Sequence, residues 1–267
     1  MENKKLIVVC GDSFNYGIGC VNLHTQPYGV LTAKHFNWDL VRLARGSASN
    51  YTIFLQGKYA AQMTPKPHLV ILGTTSYDRI EWVATGKKLD TAPNLHDVNY
   101  HLYPPHHEPQ PLHDRPMDFY LKDDPLYDPK ILSEQVVAFD DYLCHLKHGD
   151  GMIGYYERLH TESAEKIALI NRYYFDIVDS QIKADYDRGV IMMAYHNLKK
   201  KGINCIICSN DPSYAGLVDE WRDYFCPEWY RLTTTWPDSV NSLHTGEEGH
   251  ADLAGRLIQH INDEGFV

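Results

Sequence analysis

The sequence contains no run of apolar residues approaching the roughly 18 that a membrane-crossing helix requires. Its opening stretch, MENKKLIVVCGDS, holds only a short apolar run before Gly11, too brief for the apolar core of a secretory leader. The expectation is therefore synthesis in the cytoplasm, without a signal peptide, and no membrane partner. Basic residues are in deficit: 25 Lys and Arg stand against 35 Asp and Glu, for a formal net charge of −10. Such a surface repels polyanions. The one basic run, Lys199, Lys200 and Lys201, sits where a helix should end and cations complement its dipole. Nucleic acid is not an expected partner.

Cysteine is also sparse, at six residues. Cys205 and Cys208 form a C-x-x-C pair, but within INCIICSN, which reads as a strand. Side chains three apart on a strand point to opposite faces and cannot clasp one metal ion. A reduced, structural role is expected for them. Internal repeats are missing, so a solenoid is excluded. The segment after LIVVC, GDSFNYGIG, lacks both the G-x-G-x-x-G register and a P-loop lysine, which argues against a nucleotide-binding protein.

What is present suits one large α/β domain spanning 1–267: 267 residues, 43% apolar and 22% charged. A chain of this size buries roughly three quarters of its unfolded surface and needs no disulfide or metal staple. KKLIVVCG, PHLVILGT at 67–74 and GINCIICSN at 202–210 read as buried parallel strands. WDLVRLA reads as a further short strand. Helices are expected at YGVLTAKHF, at SNYTIFLQGKYAAQM, over about 161–201 with Thr161 and Ser163 as cap residues and Gly202 as the stop, and at HADLAGRLIQHINDEG. In the last of these, Ala251, Leu253, Ala254, Leu257 and Ile261 form the core-facing stripe. Strands alternating with helices predict a parallel sheet covered on both faces. The stretch at about 86–150, crowded with Pro, His, Tyr and Asp, breaks the pattern. It is expected to be a long irregular insertion and the contact surface for a protein partner or a second copy of the chain. Within it, ILSEQVVAFDDYLCHL is expected to hold a short helix.

Two places carry chemistry. Gly11-Asp12-Ser13 follows a strand directly, and open α/β sheets bind ligands beyond the carboxyl ends of their strands. Near the other end, His244-Thr-Gly-Glu-Glu-Gly-His250 precedes the final helix. A serine nucleophile needs an imidazole that accepts its proton and returns it to the leaving group. Alone, G-D-S is an ordinary turn and His244 an ordinary loop residue; together they could supply a nucleophile and its base. In TTSYDRIEW, Arg79 could clamp an anionic group of a substrate or pair with a nearby acid, and Trp82 could stack on a sugar. Asn50 is a further polar candidate. The histidines of the insertion (His96, His101, His106, His107 and His113) lack a helical ligand spacing, so no metal and no cofactor are expected.

These segments resemble the SGNH (GDSL) hydrolases, in the order that family shows. G-D-S at 11–13 looks like its first block and RLARGSASN at 42–50 its second, where Gly46 would give an oxyanion-hole N–H. LVILGTTS at 69–76 looks like the third, and His-x4-Gly-His before the last helix like the fifth. The resemblance implies a three-layer α/β/α fold of flavodoxin-like kind, with Ser13 as nucleophile and His244 as general base. It also implies an oxyanion hole from the N–H groups of Ser13 and Gly46 plus a side-chain donor. Two positions depart from the pattern. The third-block asparagine falls on Thr75, with Thr74, Ser76 or Asn50 as alternative donors. The acid expected three residues before the histidine is Asn241, and the nearest upstream acid is Asp238.

The expected activity is serine-dependent hydrolysis of acyl esters, with O-acetyl groups of a carbohydrate as a candidate substrate. The competing expectation is a weakened or inactive relative that binds a glycan or protein, as a component of a larger assembly such as a viral particle. Thr75 and Asn241 are its evidence.

Overall fold

The computed structural model describes residues 4–44, 48–77, 79–83, 142–148, 151–152, 179–236 and 244–267, with the backbone alone for 80–83, 142–148 and 151–152. The strands β1 (Leu6–Cys10), β2 (Asp39–Arg42), β3 (Leu69–Gly73), β7 (Asn204–Cys208) and β8 (Tyr224–Phe225) form a parallel sheet in the order β2-β1-β3-β7-β8. Three further strands, β4 (Arg79–Val83), β5 (Tyr142–His148) and β6 (Gly151–Met152), make an antiparallel sheet in sequence order.

The apolar runs become strands because each must bury both of its faces, and the side chains divide between two cores accordingly. Val8, Cys10, Val70, Leu72, Cys205 and Ile207 point to one side, into a cluster with Ile53, Ile191, Ala194 and Leu198. Ile7, Val9, Leu69, Ile71, Ile206 and Cys208 point to the other, against Tyr28, Leu253, Leu257 and Ile261. Burying each such aliphatic side chain contributes about 1.5–3 kcal/mol. Cys205 and Cys208 thus lie on opposite faces, as strand geometry requires.

The first face is covered by α3 (Asn50–Ala60) and α4 (Ser180–Lys200), the second by α2 (Tyr28–Phe36), α5 (Trp229–Thr235) and α6 (Glu247–Asp263), giving three layers. Ser49 caps α3 by accepting from the Thr52 N–H at 3.2 Å. Asp179 caps α4 through the N–H groups of Gln181 and Ile182. α4 stops at Gly202, whose φ of 67° lets Gly202 N–H reach Lys199 O and Ile203 N–H reach Leu198 O, a Schellman ending. The helix expected from 161 is therefore described from Ser180 onward; Thr161 and Ser163 lie outside the described residues. Among the described residues no helix is long and apolar enough to cross a membrane.

Two expectations are corrected. Ala251 is exposed, and His250 takes the inward position beside Leu253 and Ala254. The true stripe begins one residue earlier, and a one-residue offset turns a side chain by about 100° on a helix. The insertion also does not stay irregular to its end. The segment YLCHL, expected in a short helix, belongs to β5 and pairs antiparallel with β4, Arg79 opposite Leu146. A short apolar run has no decisive period of its own, so its pairing partner decides. Residues 84–141 of the chain lie outside the described residues.

The order β2-β1-β3 sets the site. From β1 the chain turns one way to β2 and then crosses back to β3 on the other side. The loops leaving β1 and β3 therefore diverge, which opens a crevice at the carboxyl ends of the two strands.

Candidate active site

Ser13 stands at the mouth of this crevice. It opens α1 (Ser13–Tyr16), a single turn capped by the Asp12 carboxylate, which accepts from the Phe14 N–H at 3.0 Å. The strand exit is held by the Gln56 side-chain amide of α3, which accepts from Gly11 N–H at 2.6 Å and donates to Gly11 O at 3.2 Å. Asn15 fills the gap between the two diverging strands. A Cβ on Gly73 would lie 1.9 Å from its Oδ1, and one on Gly11 would lie 2.4 Å from its Cβ. Glycine follows β1 and closes β3 because the Asn15 side chain occupies the space. Tyr28 of α2 donates its hydroxyl to Asn15 Oδ1 at 3.0 Å.

His244 arrives from the opposite end of the sequence, just ahead of α6. Thr245 anchors this approach by donating its hydroxyl to Leu232 O at 3.3 Å. The His244 Nε2 lies 2.7 Å from Ser13 Oγ, joining residues 231 apart in the chain. The Phe14 ring lies against the imidazole, centroids 4.4 Å apart and tilted by 37°, and Phe14 in turn packs on Trp229 at 5.2 Å.

Models of known protein families, curated proteins and solved structures were compared with this chain, and none matches. The residues around Ser13 and His244 therefore carry the functional argument by themselves.

Asp12 is the hub of the polar groups. Its Oδ1 accepts from Phe14 N–H and from Asn15 Nδ2 at 3.1 Å; its Oδ2 accepts from Thr75 Oγ1 at 2.8 Å and pairs with Arg79 at 2.9 Å. The same Arg79 nitrogen donates to Ala48 O at 2.8 Å. Arg79 is thus turned inward as an ion-pair partner, buried against Asp12, and not outward as a clamp for a substrate anion.

The structure also gives Thr75 a different place from that of an oxyanion donor. A hydroxyl has one proton to donate, and that of Thr75 goes to Asp12. Asn50 is equally committed. Its amide brackets the Thr75 backbone, accepting from Thr75 N–H and donating to Thr75 O, both at 3.0 Å, and donates to Asp187 Oδ2 at 3.1 Å. Thr74, another candidate donor, gives its hydroxyl to Ser209 Oγ at 2.7 Å. Of the other expected site residues, Gly46, Asp238, Asn241 and the side chain of Trp82 lie outside the described residues, as does the histidine group of the insertion. Among the described residues no three His, Cys, Asp or Glu side chains are grouped as metal ligands.

His250, expected only as a helix-start residue, is wholly buried behind the site. Its ring stacks parallel to Tyr28, and its Nδ1 accepts from Tyr28 N–H at 3.4 Å. Burial, and then the neighbouring His244, push its pKa down to about 3, so it stays neutral beside His244. Asp12, Asn15, Gln56 and Phe14 were not singled out as site residues from sequence. For Asp12, Phe14 and Asn15 the signal was adjacency to Ser13, whereas Gln56, 45 residues from Gly11, carried none.

Proposed function

We propose that this chain is a serine hydrolase of the SGNH (GDSL) type acting on acyl esters. The observation that carries the reading is the 2.7 Å contact between Ser13 Oγ and His244 Nε2 at the crevice beyond β1 and β3. Nothing in local folding requires a serine and a histidine from opposite ends of the chain to meet there. A proton-accepting imidazole within hydrogen-bond reach is what a hydroxyl nucleophile needs.

In the proposed reaction the Ser13 hydroxyl donates to the neutral Nε2 of His244. Ser13 Oγ adds to the ester carbonyl carbon as its proton passes to that nitrogen. The tetrahedral intermediate collapses with cleavage of the carbon–oxygen bond to the alcohol, and His244 returns the proton to the departing oxygen. Water, deprotonated by the same imidazole, then hydrolyses the acyl-serine and releases the acid. The Ser13 N–H has no acceptor among the described residues and is available to the oxyanion; Gly46 is the second proposed donor. Each such donor contributes about 3 kcal/mol to the transition state. Asn241 or Asp238 is the proposed orienting group for the His244 ring.

The commitment of the Thr75 and Asn50 side chains elsewhere favours a second reading, a weakened relative that binds a glycan or protein. Hydrolysis of short-chain aryl esters, acetyl to butyryl, by the wild type and by Ser13→Ala separates the two. The hydrolase reading expects turnover that vanishes in a folded Ser13→Ala protein. Turnover that survives the substitution removes Ser13 as nucleophile, and none in the wild type moves the assignment to the binding reading. Acetylated carbohydrates are the first natural substrate class to try.

A further inference from the structure

Resting on the serine-hydrolase reading, we infer that Arg79 and Thr75 are positioning residues that set the nucleophile turn through Asp12. A carboxylate offers about four acceptor sites, and the four donors around Asp12 fill them. The two oxygens divide the work. Among the described residues Oδ1 serves α1, through Phe14 N–H and Asn15 Nδ2, whereas Oδ2 serves the segment after β3, through Thr75 Oγ1 and Arg79. The carboxyl group therefore ties the turn carrying Ser13 to the exit of the neighbouring strand. Through Ala48 O the same guanidinium nitrogen reaches the residues just before α3. One cation thus fixes three strand-exit loops relative to one another.

Charge gives Arg79 a second task. Asp12 adjoins the nucleophile in sequence, and its full negative charge would oppose an oxyanion forming at the Ser13 N–H. Arg79 and Asp12 leave only 8% and 4% of their side-chain surface exposed, so little water screens them and the ion pair itself must cancel the charge. Arg79 stands off from the ester; it acts on the reaction through Asp12.

The test uses the full chain and a fluorophosphonate probe. Phosphonylation forms the Ser13 Oγ–P bond and expels fluoride, and the serine proton passes to His244. Its second-order rate reports the nucleophile turn, and aryl-ester kinetics give kcat and KM beside it. Arg79→Met is expected to slow labelling by roughly 100-fold, the size of loss that misplaced reacting groups produce. Its kcat should fall and its KM stay near the wild-type value. Asp12→Asn combined with Arg79→Met should recover to within about 10-fold of wild type, because no orphan charge remains. Thr75→Val, which keeps both charge and volume, is expected to lose about 10-fold in labelling while its circular dichroism is unchanged. It serves as the deciding variant if Arg79→Met does not fold.

Folded Arg79→Met or Thr75→Val protein that labels at the wild-type rate overturns the inference and leaves the hydrolase reading standing. A raised KM at constant kcat in Arg79→Met overturns it too, and returns Arg79 to direct contact with substrate. Wild-type protein that takes no label at Ser13 removes the hydrolase reading and this inference together.

Discussion

On the serine side of the site, the constraints around Ser13 are polar and directional: the Asp12 carboxylate with its four donors, the Gln56 amide on Gly11, and Asn15 seated between two glycines. On the histidine side, the contacts among the described residues are mainly aromatic. Phe14 lies on His244, Trp229 on Phe14, and His250 on Tyr28, and the Thr245 hydroxyl adds a polar tether. Hydrogen bonds and ion pairs fix an atom in direction as well as distance, which suits the proposed nucleophile, whose oxygen and N–H would both have to be aimed. Aromatic contact fixes a ring's plane while leaving its protonation to its surroundings, which suits the proposed base, which would have to accept and return a proton.

The comparison can be broken most severely at Gly73. A methyl group there meets Asn15 Oδ1 at 1.9 Å, and the Asn15 side chain is held in place by its hydrogen bonds to Asp12 and Tyr28. Gly73→Ala is expected to destabilise the fold by about 3 kcal/mol, read as a lowered urea midpoint. In whatever protein folds, the serine arm should be displaced, with fluorophosphonate labelling lost.

Acid tests the histidine side. His250 titrates near 6.5 when unfolded, but its folded pKa is pushed down to about 3. Between these values the unfolded chain binds the extra proton. The contribution of the neutral ring is therefore complete above pH 6.5 and is lost progressively as pH falls toward 3. By pH 5 this single group should remove about 2 kcal/mol of stability. Urea midpoints at pH 7 and pH 5 measure it, and His250→Gln should show the smaller fall. Equal slopes in the two proteins would place the acid sensitivity elsewhere.

The smallest effect is expected at the tether. Thr245→Val removes one side-chain hydrogen bond and should cost about 1 kcal/mol. Labelling of Ser13 should slow only a few-fold, because the aromatic contacts remain.

How much of this was legible in the sequence depended on how far each feature reaches along the chain. β1, β3, β7 and α2 were readable because burial on both faces, or helical spacing, is written into consecutive residues. The pairing of Ser13 with His244 was readable because each lies beside a recognisable strand or helix boundary. The web around Asp12 was not, since Asp12, Ala48, Thr75 and Arg79 meet only after three strands have aligned. Thr75 illustrates the limit. Its position after β3 suggested a donor to the oxyanion, but its hydroxyl has one proton and the Asp12 carboxylate is within reach. In the last helix the inward positions Leu253, Ala254, Leu257 and Ile261 were foreseen, and only the first was misplaced, on Ala251 where His250 is buried.

The seating of Asn15 also has a meaning in time. Its side chain lies in a slot whose walls are Gly11 at the end of β1 and Gly73 at the end of β3, so the slot does not exist until those strands are side by side in register. The turn bearing Ser13 can reach its final shape only after that alignment. On the proposed hydrolase reading, reactivity at Ser13 would therefore arise only once the sheet has aligned, and a serine-directed probe would time the closing of the sheet.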